Sequence, residues 1–261
     1  KLRRTNNPDG TPLNIDLHLK DPTPSVAPTY RLNPTTAKCV TDNLEDMEAM
    51  GVVRRTEYSP WGFPEIPVRK PDGTWRSCSD LRKLNPKLWG FAYPLMTDQD
   101  VFMRLHGATM FTCLDMTKYY WTIGLTPAAS EICTVRAPNG ALFSYQCLPM
   151  GMKNSSAYAQ CHIDNIMRQV YDGPGPFHGK IALECFCVAY QDDLTIYTDD
   201  ANEPYHAHYV AWVIKQLHKC NLQVRADKCY WFQRHFNLLG HHIDKDGMHA
   251  DPDKVKRIKT M

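Results

Sequence analysis

The sequence predicts an α+β fold in which an antiparallel sheet is backed by helices. Two observations predict it. Apolar runs turn back on themselves across short polar breaks at Pro71-Asp72-Gly73, Asn139-Gly140 and Asp192-Asp193, the pattern of hairpins. Amphipathic helical segments are interspersed with these hairpins. Residues 1–37 are rich in Pro, Thr and Asn and read as an extended strap. Thr41 to Met50 is helical, because Val40, Leu44, Met47 and Met50 recur at helical spacing and Gly51 can close the helix. Residues 63–79 form a hairpin, with Ile66 and Val68 alternating before the turn and Trp75 to Cys78 returning. Thr97-Asp98 caps a helix through Leu105 that Gly107 stops. Residues 110–115 and 120–125 read as strands, and 132–147 as a hairpin around Asn139-Gly140. A helix runs from Ser155 to about Val170, followed by a Gly/Pro loop from Asp172 to Lys180. Strands flank Asp192-Asp193. Glu203 to Cys220 is helical, with Val210, Val213, Ile214 and Leu217 on one face. Short strands follow at Leu222–Val224, Tyr230–Gln233 and Leu238–Ile243, and Asp251-Pro252 opens a last helix.

Composition narrows the class. The chain has 261 residues, 43% of them apolar and 22% charged, enough to bury a core and too apolar for a disordered segment. A formal charge of +2 neither announces nor excludes a nucleic-acid binder, since a basic groove on a balanced surface leaves the same sum. The 10 Cys lack metal-site spacing, and Cys113, Cys133, Cys147 and Cys187 lie in apolar runs, as buried reduced thiols do. No signal peptide or membrane span is legible, so the expected setting is intracellular. The chain begins at Lys1 without Met, which predicts a segment of something longer.

The chemistry concentrates at Tyr190-Gln191-Asp192-Asp193, between the runs Phe186 to Ala189 and Leu194 to Tyr197. Two carboxylates at a hairpin tip repel unless a cation sits between them, and hard divalent cations favour carboxylate oxygens. An isolated Asp-Asp turn is more often a solvated turn. Asp115 changes the balance, because it ends the apolar run Met110 to Leu114 and a strand lying beside the hairpin would bring a third carboxylate.

Five blocks in one order resemble the reverse transcriptases of long-terminal-repeat retroelements, nearest the Ty3/gypsy group and then the retroviral enzymes. They are Ser59-Pro60-Trp61 with Val68 to Arg76 and Asp80 to Asn85; Phe111 to Trp121; Leu148 to Asn154 with Gln160; Tyr190 to Asp193; and Leu238 to His241. Together they are far more specific than any one motif. The resemblance implies a right-hand polymerase fold, with fingers at 1–89 and 123–154, palm at 90–122 and 155–245, the start of a thumb at 246–261 and no RNase H domain. It implies RNA-directed DNA synthesis, with dNTPs, an RNA or DNA template and a DNA or RNA primer as partners. The remaining polyprotein parts (thumb, connection, RNase H) are further partners, no membrane is involved, and the cytoplasm or a virus-like particle is the setting.

By the same resemblance Asp115, Asp192 and Asp193 are catalytic, and with the Met116 carbonyl they hold two Mg²⁺ ions, for which Mn²⁺ could substitute. Asp115 and Asp192 are the expected bridging pair, with Asp193 supporting. Lys70 and Arg76 would meet the triphosphate, helped by the backbone amides of Lys118 and Tyr119. Tyr120 stands where the family places an aromatic gate against ribose, and Met150 and Gly151 line the nucleotide site. Lys228 could act as general acid to pyrophosphate, and Leu239, Gly240 and His241 form the primer grip. The chain departs from the family at Ser156, where Pro is usual, at Ala159, where Phe is usual, and at Tyr119, where a small residue is usual. The alternative reading is an inactive, domesticated domain that binds nucleic acid; a third is a two-metal nuclease.

Overall fold

The computed structural model describes residues 1–70, 73–172 and 186–250. The Pro71-Asp72 turn, the loop beyond Asp172 and the helix opening at Asp251 lie outside the described residues. In chain order the elements are β1 (Asn14–Ile15), α1 (Pro34–Met50), β2 (Val53–Thr56), β3 (Phe63–Arg69), β4 (Trp75–Ser79), α2 (Asp98–Leu105) and β5 (Met110–Asp115). Then come α3 (Tyr119–Thr122), β6 (Gly124–Leu125), α4 (Pro127–Ile132), β7 (Thr134–Arg136), β8 (Leu142–Tyr145) and α5 (Ser155–Asp172). The last are β9 (Cys187–Tyr190), β10 (Asp193–Thr198), α6 (His206–Lys219), β11 (Tyr230–Gln233), β12 (Phe236–Leu238), β13 (His241–Asp244) and β14 (Gly247–Ala250). They divide into two compact units, Lys1–Tyr93 with Lys118–Ala159, and Pro94–Thr117 with Gln160 onward.

The first unit is built on a five-stranded sheet of order β2-β8-β7-β3-β4, antiparallel except at β3–β7. Helix α1 covers it through Val40, Leu44 and Met47, all buried. This helix starts at Pro34 rather than Thr41, because Asn33 accepts a hydrogen bond from the Thr36 amide and Pro34 fits the first helical position. Its polar first turns hid that start. The strand expected at 120–125 is instead the short helix α3 followed by the two-residue β6, which pairs in parallel with β1. Lys118, at φ +48°, turns the chain into it. Helix α4 was also not legible, since six residues are too few to show a period; Thr126 caps it by accepting from the Ala129 amide, and Pro127 follows.

The second unit contains a four-stranded antiparallel sheet of order β11-β5-β10-β9 and a three-stranded one of order β12-β13-β14. The apolar runs read at β5 and β10 are buried through four and five consecutive residues. Both faces of this sheet are covered. On one face Thr112 and Thr198 bracket the buried His206 of α6, at 2.8 Å from Nε2 and 3.0 Å from Nδ1. On the other, Phe111, Cys113 and Tyr197 pack with Val101 and Leu105 of α2 and with Phe236, Leu238 and Ile243. The strand expected over Leu238–Ile243 is a hairpin. Leu238 pairs with His241 across the two-residue loop Leu239-Gly240, at φ +51° and +75°, the sign pattern of a type I′ turn. Leu222–Val224 shrinks to one bridge between Val224 and Met116, and strand β14 was not foreseen.

Candidate active site

Strand register positions the acids. β10 runs antiparallel to β5, with Asp193 directly opposite Asp115 and Thr195 opposite Cys113. Opposed residues share a face, so these two carboxylates project together from the end of the sheet, on the face that also bears Cys113 and Phe111. Asp193 also pairs with Tyr190 of β9, which leaves Gln191 and Asp192 as the hairpin loop. The turn is therefore Gln-Asp, and the expected Asp-Asp tip is corrected by one residue: Asp193 already belongs to the ladder. Asp192 is exposed in the loop, and its carbonyl accepts the Met116 amide at 3.3 Å. Met116 is itself buried.

The electrostatics report the crowding. Burial, then the charge of Asp192, then that of Asp115, raise the Asp193 carboxyl to about 6. Burial and the nearby Asp193 push the Cys113 thiol up to about 12, so it is an inert thiol under the site. Among the described residues no three His, Cys, Asp or Glu side chains gather closely enough to cage an ion by themselves.

The loop is held from below by Gln160, which the sequence placed in a family block without assigning it this role. Gln191 sits at φ +57°, a position where a hairpin loop favours glycine. The buried Gln160 accepts the Gln191 amide at 2.9 Å through Oε1 and donates to the Ala189 carbonyl at 3.0 Å through Nε2. A polar residue on the buried face of α5 was the available signal. Tyr190 is tethered at its hydroxyl by Asp98 at the start of α2, which raises its pKa.

The remaining predicted residues fall as follows. In the second unit, Lys228 is exposed in a turn, its amide bonded to the Arg225 carbonyl at 2.8 Å. Leu239 and Gly240 form the β12–β13 loop, and His241 meets the Phe102 ring edge-on at 5.2 Å. In the first unit, Arg76 on β4 is opposite Val68 of β3; Lys70, two residues beyond Val68, therefore shares its face, and both cations are exposed. Lys118 is exposed and its ammonium lies over the Trp121 ring at 5.4 Å. Tyr119 is a core residue whose hydroxyl donates to the Ala159 carbonyl at 2.8 Å. Tyr120 is buried in the helical turn of α3, not in a strand, and its hydroxyl reaches Ser156 Oγ at 3.2 Å. Met150 is exposed and Gly151 adopts φ +83°.

Residues 68–243 match the family described as reverse transcriptase (RNA-dependent DNA polymerase). The chain belongs to that family. Among curated proteins it is 30% identical over 226 residues to the retrovirus-related Pol polyprotein from transposon gypsy of Drosophila melanogaster, covering 84% of this chain and 20% of that protein. It is 25% identical over 229 residues to the transposon Tf2-3 polyprotein of Schizosaccharomyces pombe (strain 972 / ATCC 24843), covering 88% of this chain and 16% of that one. The chain thus spans about a fifth or less of these relatives. Among solved structures, the foamy viral protease-reverse transcriptase in complex with RNA/DNA hybrid superposes with a TM-score of 0.81 at 18% identity, covering 99% of this chain and 32% of that one. The same viral protein in complex with dsDNA gives 0.76 at 20%, covering 100% and 49%. The fold is the α+β polymerase fold of reverse transcriptases.

Proposed function

We propose that this chain is the polymerase core of a long-terminal-repeat retroelement, copying a template strand by adding deoxynucleotides to a primer. The observation that carries the reading is the register pairing of Asp115 with Asp193 beside the Asp192 loop, with the raised Asp193 pKa as its electrostatic mark. A half-buried carboxyl pressed by two others is a site that a divalent cation relieves. Asp115, Asp192 and Asp193, with the Met116 carbonyl, would hold magnesium. Bound there, it would polarise the primer hydroxyl and neutralise charge on the phosphates. In the reaction the primer 3′-oxygen attacks the α-phosphorus, the bond to pyrophosphate breaks, and the hydroxyl proton is lost.

The first unit corresponds to fingers and the second to palm. Lys70 and Arg76 supply triphosphate contacts, Arg as a planar fork and Lys as a point charge. Tyr120 excludes a ribose 2′-hydroxyl by bulk. Met150 and Gly151 border the nucleotide, Leu239, Gly240 and His241 support the primer end, and Lys228 protonates pyrophosphate as general acid. The RNA/DNA hybrid and the dsDNA in the viral neighbours support a template–primer duplex as partner. The test is single-nucleotide incorporation on a labelled primer–template with Mg²⁺. Incorporation is expected, falling at least about a hundredfold in Asp192→Asn. No incorporation by the unmodified chain, or cleavage of the primer–template without nucleotides, would overturn the reading.

A further inference from the structure

The loop from Leu148 to Asn154 is stitched to one neighbouring segment of the first unit by two carboxamides working in opposite directions. Asn85, in the single-turn helix Asn85–Lys87, donates through Nδ2 to the Gly151 carbonyl at 3.1 Å and accepts the Lys153 amide through Oδ1 at 2.8 Å. Asn154, at the other end of the loop, donates through Nδ2 to the Trp89 carbonyl at 2.7 Å and accepts the Phe91 amide through Oδ1 at 3.1 Å. Each side chain thus gives one bond and takes one, as a peptide group does in a ladder. Asn154 is buried, so its four-atom exchange is shielded from competing water. Lys153 Nζ adds a bond to the Leu88 carbonyl at 3.3 Å, and Ser155 Oγ closes the loop on the Pro149 carbonyl at 2.6 Å. One turn into α5, Tyr158 stacks on Phe91 at 4.8 Å.

The loop needs such restraint. Gly151 holds a left-handed backbone at φ +83° with the freedom glycine allows, and Met150 beside it is exposed. Only a residue able to donate and accept at once satisfies both backbone partners; a carboxylate at either position keeps the acceptor and loses the donor. We infer that Asn85 and Asn154 are positioning residues for nucleotide selection, Asn85 by holding the Gly151 carbonyl and Lys153 amide, Asn154 by anchoring the end of the same loop. This rests on the reading of that loop as part of the nucleotide site. A clamp of this kind acts on the affinity for the incoming nucleotide and leaves primer–template affinity and the carboxylates unchanged.

The test compares the unmodified chain with Asn154→Asp and, in case the buried charge impairs folding, with Asn85→Asp. Amide hydrogen exchange is read over residues 148–155, with residues 187–198 as internal control, and KM for the correct dNTP is measured beside the Kd for primer–template. Exchange in the loop is expected to quicken about tenfold, with the control segment unchanged, and KM to rise about tenfold while Kd stays within twofold. Unchanged exchange would overturn the clamp. Faster exchange with unchanged KM would overturn its role in nucleotide selection. Should the unmodified chain incorporate nothing, the polymerase reading fails and takes this inference with it; incorporation with no KM effect defeats the inference alone.

Discussion

Asp193 shows how far one residue's chemistry can be followed. Its folded pKa of about 6 lies above the ordinary 3.8, so the stability it confers is complete below about pH 4 and is lost as pH rises through 6. At neutral pH without metal it is a burden on the fold. Asp193→Asn is therefore expected to raise stability at pH 7.5 by about 1–2 kcal/mol, after discounting for the solvent that reaches the group; urea unfolding in EDTA measures it. Cation binding favours the ionised form. The acid limb of the incorporation rate is expected near pH 6 at low Mg²⁺ and should move to lower pH as Mg²⁺ is raised; a limb that ignores Mg²⁺ would separate this carboxyl from the metal. Tyr120 makes a second case. Its hydroxyl rests on Ser156 Oγ, and the Tyr119 hydroxyl reaches the backbone of Ala159. Tyr120→Ala should cut discrimination against ribonucleotides steeply, while Tyr120→Phe, which loses one long hydrogen bond, should cut it about threefold; the ratio of kcat/KM for dNTP and rNTP reads both. The segments that carry Asp115, Tyr120 and Asp192-Asp193 were legible because each motif is contiguous in sequence. Gln160 and Asn85 stand in the family blocks, but their bonds were not legible, because a side chain that bonds to distant backbone leaves no local pattern.

Elements were legible where one rule governs them. The α2 helix was read to its ends, because Thr97 and Asp100 form a reciprocal capping box that the sequence spells out. The hairpin over β3 and β4 was legible from its alternation. Helix α1 was read short because Asn33 and Pro34, not the apolar period, define its start. Replacing that cap, Asn33→Ala, is expected to cost about 1 kcal/mol, measured by thermal or urea unfolding. Strand β10 was recognisable as apolar, but its pairing with β5 depends on partners far apart in sequence. The turn carrying Asp192 depends on Gln160 in the same way. Gln160→Leu removes both bonds at similar size and should lower kcat about tenfold with little change in Kd for primer–template; steady-state kinetics with a binding control would read it.

At the scale of the molecule the class was legible from composition and the order of hairpins and helices, and the division into units was not fixed by either. One buried acid was wholly unannounced. Glu65 of β3 takes a hydrogen bond from Ser79, and its Oε2 has no hydrogen-bond partner among the described residues. Burial raises its pKa from 4.5 to about 7. Its contribution is therefore complete below about pH 4.5 and fades as pH climbs through 7, a loss of about 3 kcal/mol by pH 8. The difference in unfolding free energy between pH 5 and pH 8 should shrink by that order in Glu65→Gln; an unchanged difference would show that another group sets the alkaline decline. The alternation of the two units along the chain has a consequence for synthesis. Neither unit is contiguous: the first cannot close before Ala159, and the second draws on chain from both sides of that point. Asp115 leaves the ribosome well before β10 exists to stand beside it. The acids proposed as catalytic therefore become neighbours late, and a nascent chain halted short of Asp193 can hold a folded sheet without the Asp115–Asp193 pair.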